Sequence, residues 1–162
     1  MPGHQPSTPP TGSQLSIIDN LAALPFPEEE QRAGQGSSWG GPGYHLAVLR
    51  ESQDFWEDRD EAIVAAAEQE LEDDLDALAA ALAGRWGHPQ TVDLSPYLGL
   101  DHHIPGFVAP EPLAFMSGLA GSMQVWQLPQ SSRWLALTIG QADPEFPLQL
   151  LAAVGTESLN VR

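Results

Sequence analysis

Met123-Gln-Val-Trp-Gln-Leu128 and Arg133-Trp-Leu-Ala-Leu-Thr-Ile139 are two apolar-rich runs joined by Pro129-Gln-Ser-Ser132. A four-residue polar connection with a proline suits a hairpin loop, so the two runs are expected to pair as antiparallel strands. A second turn around Gln141-Ala-Asp-Pro144 leads to Leu148–Val154, which reads as a third strand. These last 40 residues set the expectation of an antiparallel sheet, and the preceding segments determine what covers it.

The clearest helix runs from about Asp58 to Arg85, with Val64, Ala67, Leu71, Leu75, Leu78 and Leu82 on one stripe. Asp58-Arg59-Asp60-Glu61 supplies a capping-box-like start, and Gly87 with Pro89 supplies the stop. Tyr44-His-Leu-Ala-Val-Leu49 alternates as a first strand, and Thr91 to Leu98 reads as a short one ended by Pro96. Pro110-Glu111-Pro112 opens a second helix through Leu113, Met116 and Leu119 to Gly121. The expected fold class is α+β: one mostly antiparallel sheet in chain order β-α-β-α-β-β-β with two helices packed on one face. Trp86, Trp126 and Trp134 are expected to fill much of its core.

The domain is expected to span residues 44–162, behind a flexible arm of residues 1–43 that holds 7 of the 15 prolines. Residues 1–14 carry nothing apolar beyond Met1 and cannot offset the entropy of ordering, so disorder is expected there. Leu15, Ile18 and Leu21 then fall at i, i+3 and i+6 within an apolar patch over 15–26, which predicts a short amphipathic helix. That patch either folds back onto its own domain or docks into a partner's groove. The run from Gly34 to Gly43 has linker composition, and Gly40-Gly41-Pro42-Gly43 reads as the linker's end.

The 162 residues include 22 acidic and 6 basic side chains, a net charge of −16, and every basic residue is Arg. Clustered cations are what neutralise phosphate, so nucleic acids and anionic membranes are poor partners for this chain. The lack of both Lys and Cys excludes a thiolate nucleophile, disulfides, Cys-ligated zinc, a Schiff-base Lys and a phosphate-loop Lys. No stretch has the flanks of a signal peptide or the length of a membrane span, so a cytoplasmic location is expected. Arg without Lys, beside abundant Ala, Gly, Leu and Pro, is the codon signature of a GC-rich genome, so a bacterial source is expected.

Between Glu51 and Asp76 lie twelve carboxylates and one Arg. Like charges at i, i+4, such as Glu68/Glu72, Glu70/Asp74 and Glu72/Asp76, each cost a few tenths of a kcal/mol. The pattern fits a solvated face, a docking surface for a basic protein, or a carboxylate metal site that would lack the usual helical His. Glu70, Asp73, Asp74 and Asp76 are the expected partner-binding carboxylates, with Leu15, Ile18 and Leu21 as the arm's docking residues. Asp101-His102-His103, with His88 and Asp93 upstream, form the weak metal or acid/base candidates, because adjacent His side chains point apart in extended chain. Ser117 lacks the first glycine of a nucleophile elbow and is expected to be an ordinary helical residue. Arg85-Trp86 and Arg133-Trp134 are expected to pair with the acidic helix.

With no convincing catalytic set, no cofactor is expected. The leading expectation is a non-enzymatic interaction protein of the immunity, inhibitor or adaptor kind that binds a basic protein partner. The alternatives are a small metal-dependent enzyme using Asp101, His102 and His103, and a structural subunit whose arm docks into a neighbouring copy as a homo-oligomer.

Overall fold

A computed structural model describes residues 11–31, 38–94, 97, 111–129 and 131–156. Along the chain these form α1 (Thr11–Ala23), β1 (Ser38–Gly41), β2 (Tyr44–Glu51), α2 (Glu61–Trp86), β3 (Gln90–Asp93), α3 (Leu113–Ser117), β4 (Ser122–Gln127), β5 (Trp134–Gly140) and β6 (Gln149–Gly155). The six strands make one antiparallel sheet in the order β1-β2-β6-β5-β4-β3, so the chain has the α+β architecture expected of it. The 123–139 hairpin is present. Gln127 pairs with Trp134, and the loop is closed by Leu128 N donating to Arg133 O at 3.0 Å.

β5 and β6 are buried on both faces, which is why their sequences read as continuous apolar runs rather than as alternation. Leu135, Leu137, Leu150, Ala152 and Val154 face a core shared with α1 and α2. Ala136, Ala153, Val125 and Met123 face a second core with Trp39, Leu113 and Met116. Two helices therefore share one face, and they are α1 and α2. The segment after Pro112 forms only the five-residue α3, which covers the opposite face with Leu113 and Met116. Trp126 and Trp134 are buried as expected, one in each core, while Trp86 is only partly buried against the α-helical one.

The segment expected to be an arm contributes two elements to the domain. Ile18 is wholly buried and Leu21 nearly so, with Leu15 packed beside them, so the 15–26 patch folds back on its own sheet. Thr11 to Gln14, expected to be disordered, are helical. β1 lies in the stretch read as linker: Gly41 pairs with Tyr44 around the two-residue turn Pro42-Gly43, where Gly43 has φ +87°. Proline followed by a glycine in the left-handed region is the chemistry of a tight turn. Residues 1–10 and 32–37, also expected to belong to the arm, lie outside the described residues.

One irregularity positions the site discussed next. The β2–β6 register shifts between Val48, opposite Leu151, and Arg50, opposite Leu150, leaving Leu49 as an extra residue. A bulge of this kind re-aims the side chains beyond it. Without it, alternation from Leu46 and Val48 would send Arg50 to the α3 face; with it, Arg50 shares the α1/α2 face of Leu150.

Candidate functional site

α2 begins where Asp60 caps it, its carboxylate accepting from Ala62 N at 2.8 Å. The helix ends at Gly87, whose φ is +88° and whose carbonyl accepts from the Trp126 indole at 2.9 Å. Its inward stripe is Ala67, Leu71, Asp74, Leu78 and Leu82. Asp74 thus occupies a position on the core side, only 9 % exposed, while Leu75 is only partly buried.

This corrects the expected set of partner-binding carboxylates. Asp74 accepts from Arg50 Nη1 at 3.0 Å and from Gln14 Nε2 at 3.1 Å, so it ties α2 to β2 and α1. Glu70, one turn earlier and exposed, takes Arg50 Nη2 at 3.3 Å. Asp73 is exposed and accepts only from Gln69, its neighbour at i−4, at 2.9 Å. Asp76 is exposed. Four residues per step along the helix return to nearly the same face, so Glu68, Glu72 and Asp76 form an exposed row that spans about 12 Å.

The described arginines are all committed elsewhere. Arg50 holds Glu70 and Asp74, Arg59 holds Glu145 at 2.9 Å, and Arg85 holds Asp19 of α1 at 2.7 Å. Arg133 was expected to pair with the acidic helix. It instead donates to the carbonyls of Ala22 at 3.1 Å and Leu24 at 2.7 Å and lies 4.0 Å from the centroid of the Phe26 ring. A cation at a helix C-terminus satisfies carbonyls that have no intrahelical donor, so Arg133 is the cap of α1. Among the described residues Glu68, Glu72 and Asp76 have no ionic partner.

Leu15, Ile18 and Leu21 are used within the chain's own core, which removes the apolar face that an arm docking into a neighbouring copy would need. Asp101, His102 and His103 lie outside the described residues. Among the described residues no group of three or more His, Cys, Asp or Glu is placed to hold a metal ion. His88 is exposed beside the end of α2, and Asp93 closes β3. Ser117 is buried in α3 with its hydroxyl donating to Ala114 O at 2.9 Å, so it is the helical residue expected. No helix of the described residues is long and apolar enough to cross a membrane.

A second feature was not legible from motifs. His45 is buried, its Nε2 lies 3.1 Å from the carbonyl oxygens of both Leu24 and Pro25, and Phe26 packs against its ring. Two acceptors require Nε2 to carry the proton and donate. Burial, reinforced by the Arg133 charge, lowers the His45 pKa below its ordinary 6.5, although the two carbonyls pull the other way. The imidazole forms one wall of a pocket of about 420 Å³ lined also by Leu21, Leu24, Pro27 and Trp39. Next to it the Tyr44 hydroxyl donates to the Glu30 carboxylate; burial first, and that carboxylate second, push its pKa up. These contacts bind the 24–31 segment to the β1–β2 hairpin and explain why it lies on the sheet. Comparison of the chain with protein-family models, with curated proteins and with solved structures gave no match.

Proposed function

We propose that this chain is a non-enzymatic binding protein of the immunity, inhibitor or adaptor kind, which engages a basic protein partner through the outer face of α2. The observation that supports this reading is the exposed set Glu68, Glu72, Asp73 and Asp76, left without an arginine because each described arginine is engaged elsewhere. A helix does not gain stability from such a row. Like charges four residues apart repel by a few tenths of a kcal/mol per pair, a cost that a cationic surface would turn into attraction. The cytoplasmic and bacterial setting expected from composition belongs to the same proposal.

The test is Glu68→Gln, Glu72→Gln, Asp73→Asn and Asp76→Asn together. None of the four side chains holds the fold, so the melting temperature should stay equal or rise slightly as repulsion is relieved. A basic protein retained from the native cell by the wild type should bind the variant with a slower association rate and a flattened salt dependence, since charge acts through steering over a Debye length of about 8 Å. Equal association rates for the two proteins would end this reading.

A further inference from the structure

Trp56 is 61 % exposed, by far the most exposed of the large apolar side chains in the described residues, and it packs against a second exposed aromatic, Phe146, at a ring-centroid distance of 5.5 Å. Single exposed apolar residues are ordinary on protein surfaces, but this pair sits on two turns that hydrogen bonds and an ion pair tie to each other. Phe55, immediately before Trp56, is wholly buried, and its N–H donates to Glu145 O at 2.8 Å. Ser52 N donates to Leu148 O at 2.9 Å, and Leu148 N returns to Ser52 Oγ at 2.9 Å. Arg59 bridges to Glu145 at 2.9 Å, and Gln141 Nε2 donates to Phe146 O at 2.8 Å. The backbone on either side of the two rings is therefore tied down by hydrogen bonds, and the rings rest on each other at the surface.

We propose that Trp56 and Phe146 are the anchor on which an arginine-bearing segment of a protein partner docks, with a guanidinium stacked on the outer face of Trp56. Charge selects the occupant. Asp54, Glu57, Asp58 and Asp143, all exposed, stand on the same two turns, against Arg59 alone, which is already paired. Geometry selects the cation. The two rings touch each other, so no compact ammonium fits between them as in an aromatic cage, whereas a planar guanidinium can lie flat on an indole. Aromatic and arginine side chains that become desolvated together in a complex are also what binding hot spots are made of. This anchor uses none of the carboxylates Glu68, Glu72, Asp73 and Asp76, and either surface can fail without the other.

The test uses the full chain, labelled with ¹⁵N, and an acetylated, amidated peptide of three arginines spaced by Gly and Ser, against the same peptide with citrulline in place of arginine. The arginine peptide should shift the Trp56 indole N–H signal, assigned with Trp56→Phe, and the backbone signals of residues 54–58 and 143–146. Citrulline should abolish the effect, and lysine should weaken it. Trp56→Ser, which keeps the fold because the ring is exposed, should weaken binding ~10-fold. The variant neutralised at Glu68, Glu72, Asp73 and Asp76 should still show the Trp56 shift, which separates this anchor from the α2 surface. Equal binding of the citrulline peptide, unchanged affinity in Trp56→Ser, or shifts confined to α2 would overturn the proposal. So would Trp56 shifts that follow protein concentration without peptide, since the occupant would then be a second copy.

Discussion

Arg50 donates to Asp74 across the gap between β2 and α2 at 3.0 Å, and it reaches because the bulge at Leu49 turns its side chain to the helical face. The pair is half wet: Arg50 is 37 % exposed, whereas Asp74 sits in the apolar stripe of α2 and also holds Gln14 of α1. Removing only the carboxylate strands Gln14 Nε2 in the core, beside an Oε1 that already lacks a partner among the described residues. Asp74→Ala is therefore expected to cost about 1–3 kcal/mol in urea unfolding. Asp74→Leu combined with Gln14→Leu should recover much of that loss, since Gln14 is then no longer stranded and the part-exposed Arg50 keeps Glu70 and water. A double variant as unstable as the single one would show that α1 is held by something other than this contact.

Arg133 should govern the docking of α1. Arg133→Gln removes the charge beside the last carbonyls of the helix and the stacking on Phe26, for an expected loss of about 2 kcal/mol. Hydrogen exchange is the suitable measurement: amides of 15–23 should lose protection while those of β5 and β6 keep theirs. Arg133→Lys should rescue only in part, because an ammonium cannot both fork to two carbonyls and lie flat on a ring.

His45 should make stability depend on pH in one direction. Its folded pKa lies below 6.5, so on acidification the unfolded chain takes up this proton first. The sign follows from linkage: the contribution is fully present above about 6.5 and is lost as pH falls from there toward the folded value. In denaturant midpoints measured from pH 7.5 downward, wild type minus His45→Gln should fall through that window. A difference that stays constant with pH would show that the ring titrates normally.

Gly155 pairs with both Tyr44 and Trp134, and a Cβ there would lie 2.5 Å from the indole Cζ2 of Trp134. Gly155→Ala must displace that buried ring, so it should destabilise by about 1–3 kcal/mol and alter near-ultraviolet circular dichroism. Gly121→Ala, where a Cβ meets nothing within 4 Å, is the matched control.

The hairpin at 123–139 and the long helix were legible because both carry strong local signals, alternating or periodic apolar residues with turn chemistry at the ends. β1 was not, because Trp39 is its only large apolar residue and its glycines resemble a linker until a partner strand is in place. α1 showed its period, but nothing local tells whether an apolar face is met by its own sheet or by another molecule; that depends on Arg133 and Arg85, more than sixty residues away. Asp74 was misplaced among the exposed carboxylates for the same reason. Its partner Arg50 reaches it only through a bulge, which sequence periodicity does not reveal. The contact between Trp56 and Phe146 leaves no mark in the sequence, since the two residues come from distant turns.

The strand order carries a consequence for how the polypeptide is made. β6 follows every other described strand in sequence yet lies between β2 and β5 in space, so before residues 149–155 emerge from the ribosome these strands can pair only as two fragments, β1–β2 and β3–β4–β5. Each fragment presents a bare inner edge meant for the missing strand, the kind of edge that invites wrong pairing. Joining them closes a span of about a hundred residues in one event. The nascent chain should thus gain its helix early and its sheet late, and a holdase that shields β2 and β5 during synthesis should raise the yield of native protein.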